Sequence, residues 1–346
     1  MLENLFGKAG ILCPECRAPS SDGMSVYALA ISEVFFEING NIISGILICQ
    51  GCGREYPIIG GVPCVIRNVD GWLEQEIAAS PTRLELPGRF SKLTPKTQNR
   101  TPEAERALVS AFAELHYGDF SGRDDPLMKE NRDYWLSVKN LTETTQGPVL
   151  DLGCSVGRFS FDMARSSNTV VGLDLRLSVL IMAEKLRTKD RVTYERRLAG
   201  RRLETVETDF KPEENVLFIA GDALDPPFKM ESFNLVAGLN ILDNVHAPMT
   251  LLGQMNALLR PGGALLLGSP YEWREDITHP SQWLDTDDRD SAAMLNDILK
   301  GIVLPQTGFN YILETEIPKI GWTMRNHERY YSRFISHVVK ARKPAN

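Results

Sequence analysis

Five apolar runs, each too short for a buried helix and too continuous for a strand with one wet face, punctuate the chain: Val149–Leu152, Val170–Asp174, Val216–Ala220, Phe233–Asn240 and Ala264–Gly268. Runs of this kind predict parallel strands covered on both faces. Segments with helical spacing lie between them, from about Leu177 to Thr188 and from Met249 to Leu259. Upstream, Thr101-Pro102-Glu103 supplies a capping hydroxyl, a first-turn proline and an early acid. The helix they open carries Leu108, Val109, Ala111, Phe112 and Leu115 at helical spacing and runs out at His116-Tyr117-Gly118. A second amphipathic helix, Met128 to Thr142, leads to the first strand. Around Ala199-Gly200-Arg201, alternation predicts an inserted hairpin with solvated arginines, and Tyr311–Ile317 with Phe334–Lys340 predicts a closing antiparallel pair. The pattern is that of an α/β, doubly wound sheet of seven strands.

A different pattern occupies residues 1–69. Short β-type runs at Ser25–Leu29, Glu33–Ile38 and Ile42–Ile48, with a turn at Asn39-Gly40-Asn41, separate Cys13-Pro14-Glu15-Cys16 from Cys49-Gln50-Gly51-Cys52. Each C-x-x-C knuckle presents two thiolates from one tight turn, and the pair supplies four sulfurs for one tetrahedral ion. A small zinc ribbon is expected, with Cys13, Cys16, Cys49 and Cys52 as ligands of a structural Zn2+; a closed four-thiolate site leaves no position for a substrate. Cys64 reads as core. Residues 70–100, rich in Gly, Pro, Ser and Thr, read as a linker with one short helix at Trp72–Ala79, which leaves 101–346 as the second domain.

The candidate chemistry begins at Asp151-Leu152-Gly153-Cys154-Ser155-Val156-Gly157. A strand breaks into a glycine turn, a helix follows, and the next strand ends on Asp174, the arrangement of a nucleotide-binding unit. Gly153 lets the backbone turn sharply and approach a ligand, and Gly157 lets the helix lie close to the sheet. Asp174 stands where a carboxylate can accept both hydroxyl protons of a ribose. Ser155 takes the position of the middle glycine that makes room for a pyrophosphate, so a ligand with ribose and no pyrophosphate fits better.

The stretch resembles the first motif of class I methyltransferases, and Leu259-Arg260-Pro261-Gly262-Gly263 before an aliphatic run strengthens the likeness. The resemblance implies a Rossmann-like fold with a C-terminal hairpin and S-adenosyl-L-methionine as methyl donor. Asp151 and the glycine turn would cradle its methionine end, Asp174 its ribose and Asp222 its adenine amino group, with Cys154, Leu175 and Ala223 alongside. His116-Tyr117-Gly118, Asn240 with Asp243, Ser269-Pro270-Tyr271, Trp273 and Trp283-Leu284 are more specifically similar to the mercaptohistidine methyltransferase domain of ovothiol-forming enzymes, over roughly 114–342. That likeness implies a small polar acceptor, an imidazole or amine nitrogen of a histidine-like compound. The sulfoxide-synthase domain of those enzymes is missing, and the ribbon stands in its place. Tyr117 is then expected as part of a lid over the methionine end. Asn240, Asp243 and Tyr271 are expected to orient the acceptor, with Asp243 as base and helix capping as its alternative. Arg325 and Arg329 could hold a substrate carboxylate, whereas His116 and His246 read as structural or solvated. Arg54–Pro63 resembles the zinc-ribbon activator subunit of tRNA and translation-factor methyltransferases, so the ribbon is also the surface offered to a protein partner or a second copy.

Composition adds exclusions. The chain has 346 residues and a net charge of −7 with no dense basic run, unlike a nucleic-acid binder. No apolar run approaches ~18 residues, and the first ten residues lack the apolar core of a signal peptide. The expectation is a cytoplasmic enzyme acting on a small molecule. Two alternatives are a tRNA or protein methyltransferase that recognises its target with the ribbon, and a catalytically silent scaffold.

Overall fold

The computed structural model describes residues 3–16, 19–20, 23–24, 26–96, 99–142 and 146–345. The chain enters through α1 (Glu3–Ala9) and a two-residue ladder of β1 (Pro19–Ser20) and β2 (Gly23–Met24). An antiparallel sheet follows in chain order: β3 (Leu29–Ile38), β4 (Asn41–Cys49), β5 (Glu55–Ile59) and β6 (Val62–Pro63). Asn39 and Gly40, at φ 50° and 76°, form the turn between β3 and β4, as the twist of a tight hairpin demands. Among the described residues, no separate strand forms over 26–28. Ser25 lies outside the described residues, and the backbone at Tyr27 and Leu29 pairs instead with Cys13 and Ile11 at the first knuckle. Cys64 is fully buried, in keeping with a core role.

The segment after the ribbon is anchored. Its helix, α2 (Val69–Ala79), starts before Trp72 and buries Val69, Trp72, Leu73, Glu76 and Ala79. Next come α3 (Pro102–Tyr117), capped by the Thr101 side chain accepting from the Ala104 N–H at 3.2 Å, and α4 (Pro126–Thr142). The nucleotide-type unit is β7 (Val149–Leu152), α5 (Arg158–Ala164) and β8 (Val170–Asp174), continued by α6 (Leu177–Arg187). The inserted hairpin, β9 (Thr193–Ala199) with β10 (Arg202–Glu207), is present. One of its arginines departs from expectation: the Arg196 side chain is only 13% exposed, paired with Glu204 at 2.7 Å and Glu328 at 3.5 Å. Then follow β11 (Val216–Ala220), β12 (Phe233–Leu239), α7 (Pro248–Leu258), β13 (Leu259–Ser269), α8 (Ser291–Leu299), β14 (Ile312–His327) and β15 (Tyr330–Arg342).

The seven-stranded sheet runs β11-β8-β7-β12-β13-β15-β14. Its first five strands are parallel, and the last two form the antiparallel hairpin. From β7 the chain fills one side with β8 and β11, then crosses to β12 and β13 on the other. The reversal opens a crevice at the carboxyl ends of β7 and β12. The hairpin is longer than its apolar residues suggest. Beyond Ile320 it continues into a segment held against α4, where buried Asn131 donates to the Thr323 carbonyl at 2.9 Å and accepts its N–H at 2.7 Å. Glu130 adds Arg333 at 2.6 Å and the Thr323 hydroxyl at 2.8 Å. Polar partners from another helix thus replace the apolar contacts by which a strand is normally recognised.

The ribbon closes the other edge of this sheet. The Val65 N–H donates to the Ala220 carbonyl at 2.8 Å, Cys64 bridges Ala220 in parallel, and the Leu12 N–H reaches the Pro227 carbonyl at 2.9 Å. The carboxyl end of strand β11 therefore has a backbone partner at Ala220, on an edge that would otherwise present unpaired groups. No helix among the described residues is long and apolar enough to cross a membrane.

Candidate functional site

The crevice is built around the loop that leaves β7. Gly153, Ser155 and Gly157 all take left-handed backbone angles, with φ of 74°, 51° and 87°. A Cβ on Gly157 would stand 2.7 Å from the Phe218 ring on β11, so this glycine does bring α5 down onto the sheet. A Cβ on Gly153 would meet Ile241 at 2.9 Å. Ser155, by contrast, has a buried Oγ with no hydrogen-bond partner. A hydroxyl in that condition costs ~1–3 kcal/mol unless a ligand or an ordered water meets it.

The loop is held from behind. Tyr117 is fully buried, and its hydroxyl donates to the Val156 carbonyl at 2.6 Å. That makes it a fixed support beneath the loop, which corrects the expectation of a lid. His116 Nδ1 accepts the Arg158 N–H at 3.3 Å. Burial first, and Arg158 second, push this imidazole down to about 3, a neutral structural ring as expected. Arg158 itself is buried, with Asp119 at 3.1 Å and Asp162 at 2.8 Å.

Across the ends of β7, β8 and β11 stand the three acids. Asp151 is 2% exposed and accepts from the Ser160 hydroxyl at 2.6 Å. Burial, with the neighbouring Asp174 charge as a smaller contribution, pushes its carboxyl up to about 7. Asp174 is partly exposed and accepts the N–H groups of Ser155 and Arg176, both at 2.9 Å. These bonds fix the carboxylate and leave further lone pairs on each oxygen. Asp222 accepts the Leu224 N–H at 2.8 Å and is also partly exposed. Leu175 is 49% exposed beside Asp174, whereas Ala223 is largely buried. The Cys154 side chain is buried toward Gly172, so its backbone is the part that can meet a ligand.

On the far side of the crevice, Asn240 and Tyr271 follow β12 and β13 in left-handed conformations, φ 57° and 56°. With Ser155 they make three of the seven non-glycine residues of positive φ among the described residues. Each costs of order 1–3 kcal/mol, and such strain gathers where a fold grips a ligand. Asn240 Nδ2 donates to the Tyr134 hydroxyl at 3.0 Å, and its Oδ1 accepts from Ser336 at 2.8 Å. Asp243 is 1% exposed. Its two oxygens accept the Ser269 hydroxyl at 3.1 Å and the Glu272 N–H at 2.9 Å. Burial raises its pKa, but the carboxylate is sealed into the turn after β13. This position corrects the base assignment: Asp243 closes the turn that presents Tyr271, whose N–H donates to Ser269 Oγ at 3.0 Å.

The Tyr271 hydroxyl lies 2.7 Å from His337 Nδ1, and His337 Nε2 lies 3.0 Å from Glu316. Neither partner was identified from sequence. The one signal was a histidine, His337, ahead of the buried apolar run Val338-Val339 in β15. Trp273 Nε1 donates to Ser291 at 2.9 Å and Trp283 Nε1 to the Thr278 carbonyl at 2.9 Å, pinning the loop after β13. Arg325 is paired with Asp125 and, at 3.5 Å, with Glu114; it is not free for a substrate carboxylate. Arg329 is exposed next to the hairpin tip.

At the other end of the molecule the four knuckle sulfurs lie within 4.8 Å of one another, with Cys13–Cys52 at 3.9 Å and Cys16–Cys49 at 3.7 Å. A tetrahedral zinc with sulfurs at ~2.3 Å requires edges of ~3.8 Å. The Gly51 and Cys52 N–H groups donate to Cys49 Sγ at 3.4 and 3.5 Å, as thiolate ligands need. The donor set fits zinc.

Residues 150–267 match a protein-family model described as a methyltransferase domain. A demethylmenaquinone methyltransferase of Lactococcus lactis is 27% identical over 142 residues, 40% of this chain and 48% of that protein. A ubiquinone biosynthesis O-methyltransferase of Xanthomonas euvesicatoria is 25% identical over 175 residues, 50% of this chain and 64% of that protein. The chain thus spans between about half and two thirds of the length of these relatives. Among solved structures, the N-methyltransferase NodS of Bradyrhizobium japonicum with S-adenosyl-L-homocysteine is 15% identical, covering 68% of this chain and 99% of its own, with a TM-score of 0.39.

Proposed function

We propose, from the premise that residues 150–267 form a class I S-adenosylmethionine-dependent methyltransferase domain, that this protein methylates a small polar acceptor held over the ends of β12 and β13. The observation that carries the acceptor position is the set of strained residues Ser155, Asn240 and Tyr271, placed after three strands that flank the switch point.

S-adenosylmethionine supplies an already activated methyl group, so the protein's work is positioning and the exclusion of water. Asp174 would accept the ribose hydroxyls and Asp222 the adenine amino group. Ser155 Oγ, the loop backbone at Gly153, Cys154 and Gly157, and Asp151 would meet the methionine end, with Leu175 and Ala223 flanking the nucleoside. Asn240 and Tyr271 would orient the acceptor. Tyr271 and Trp273, with ring centroids 6.3 Å apart and planes at 36°, offer aromatic faces for a small ring. An imidazole or amine nitrogen of a histidine-like compound suits such a place. A structural zinc on Cys13, Cys16, Cys49 and Cys52 belongs to the same reading.

The test has two parts. Calorimetry with the donor should show binding that Asp174→Asn weakens roughly 10- to 100-fold, the loss of one or two charge-assisted bonds. A labelled-donor screen over histidine derivatives, small amines and hydroxylated rings should then find the acceptor. Absence of donor affinity at millimolar concentration would leave only a scaffold, and transfer to bulk tRNA or protein would replace the small-molecule reading.

A further inference from the structure

Methylating a protic acceptor at neutral pH releases a proton, and Asp243, sealed into its turn, is badly placed to take it. Another group of residues is well placed. Tyr271 stands after the carboxyl end of β13, on the acceptor side of the crevice. His337 is paired across from Ser269 in β15, is 3% exposed, and meets the Tyr271 hydroxyl at 2.7 Å. Its other nitrogen meets Glu316 of β14 at 3.0 Å, and that carboxylate is 41% exposed. The three groups make one hydrogen-bonded line from the crevice to bulk water.

We propose that Tyr271, His337 and Glu316 form a proton relay that takes the proton shed by the acceptor and delivers it to solvent. The proposal rests on the methyl-transfer reading and adds to it the class of acceptor: one that carries a proton to lose, on oxygen or nitrogen.

The direction of the relay follows from donor and acceptor chemistry. A carboxylate only accepts, and Asn296 Nδ2 already donates to the same Glu316 oxygen at 3.0 Å. His337 Nε2 therefore carries the ring hydrogen, Nδ1 is bare, and the Tyr271 hydroxyl donates to it. The phenol oxygen keeps lone pairs for an acceptor O–H or N–H. As the acceptor's electron pair bonds to the methyl carbon, the sulfur–carbon bond breaks and its pair stays on sulfur. The acceptor's proton passes to Tyr271 Oη and the tyrosine's own proton to His337 Nδ1. The imidazolium so formed hands its Nε2 proton to the Glu316 carboxylate, whose exposed side gives it to water.

The charged groups around this line are Glu316 on β14, Asp290 ahead of α8, and Asp243 under Tyr271. Burial holds the His337 ring below the ordinary histidine range, with Glu316 opposing, so the ring is neutral and receptive at neutral pH. Burial raises the Tyr271 phenol, which therefore transmits a proton rather than standing as a phenolate. His337 acts through Tyr271 and is a positioning and relay residue; Tyr271 is the group that touches the acceptor.

Nitrogen NMR of the zinc-loaded full chain tests the line without any acceptor. The expected result is a neutral His337 ring protonated at Nε2 at pH 7, its midpoint falling in Glu316→Gln and its Nδ1 shift moving in Tyr271→Phe. A ring protonated at Nδ1, or one indifferent to both substitutions, overturns the proposal. With L-histidine and catechol as probe acceptors, His337→Gln, which preserves both hydrogen bonds, should lower turnover on whichever is methylated by ~10²-fold and remove the acid limb of the pH profile. An unchanged profile also overturns it. Donor affinity should stay within twofold in His337→Gln; loss of donor binding by the unsubstituted chain would instead defeat the methyltransferase reading itself.

Discussion

Asp151 is held by opposing forces: burial and the charge of Asp174 disfavour its ionised form, while the Ser160 hydroxyl favours it. Its carboxyl, held at about 7, stands above the ~3.9 of an unfolded aspartate. The folded chain therefore binds the extra proton between ~4 and ~7. Stability from this group is fully present at the acid end of that window and is lost as pH rises through it. If the donor's ammonium comes to rest beside Asp151, the arriving positive charge will expel the proton. Donor binding near pH 6.5 should then release up to one proton, and affinity should rise with pH until Asp151 is ionised in the free protein. Calorimetry in buffers of different ionisation heat reads both effects. Equal heats and a flat affinity would remove Asp151 from contact with the donor.

Helix α2 lies outside the matched region yet reaches the turn between β8 and α6. Trp72 Nε1 donates to the Leu175 carbonyl at 3.2 Å, and Glu76 accepts the Leu177 N–H at 3.0 Å at the start of α6. Glu76 also pairs with Arg100, which meets Glu105 at 2.9 Å; Glu105 in turn holds Arg176 at 3.0 Å. The residues after Asp174 are thus gripped by a helix that is read from sequence as part of a linker. Glu76→Gln keeps the size and weakens the capping charge and its pair with Arg100. Thermal unfolding should show a loss of ~1–3 kcal/mol, and the donor dissociation constant should rise several-fold. Unaltered donor affinity would mean that α2 only fills space.

Such couplings mark how far sequence reasoning carries. The parallel strands, the glycine loop and the cysteine knuckles were legible because each is written in consecutive residues with a fixed chemistry. The motif gives Tyr117 a position in the chain and not a direction, and only the structure shows its hydroxyl turned onto the Val156 carbonyl. The setting of Asp243 was hidden for a similar reason, since its two partners, Ser269 and Glu272, lie at the end of β13 and just beyond it. His337 and Glu316 come from strands distant in the chain from Tyr271, and no local pattern joins them.

At the scale of the whole molecule, the cysteine cluster, the ribbon and the sheet are linked in series. The knuckles hold Cys13 and Cys49 at the base of the ribbon, the ribbon carries Cys64 and Val65 onto β11, and α2 continues from there to the residues after β8. Removing zinc with a strong chelator should lower the melting temperature and weaken donor binding together, and readdition of zinc should restore both. A chelated protein that binds donor with unchanged affinity would show that the ribbon's order ends at its own boundary.

The pairing of Val65 with Ala220 also has a temporal meaning. During synthesis the ribbon emerges well before β11, so this edge strand meets at Ala220 a partner already waiting for it. The carboxyl end of the outermost strand is thus spared a search for company among neighbouring molecules while the sheet assembles.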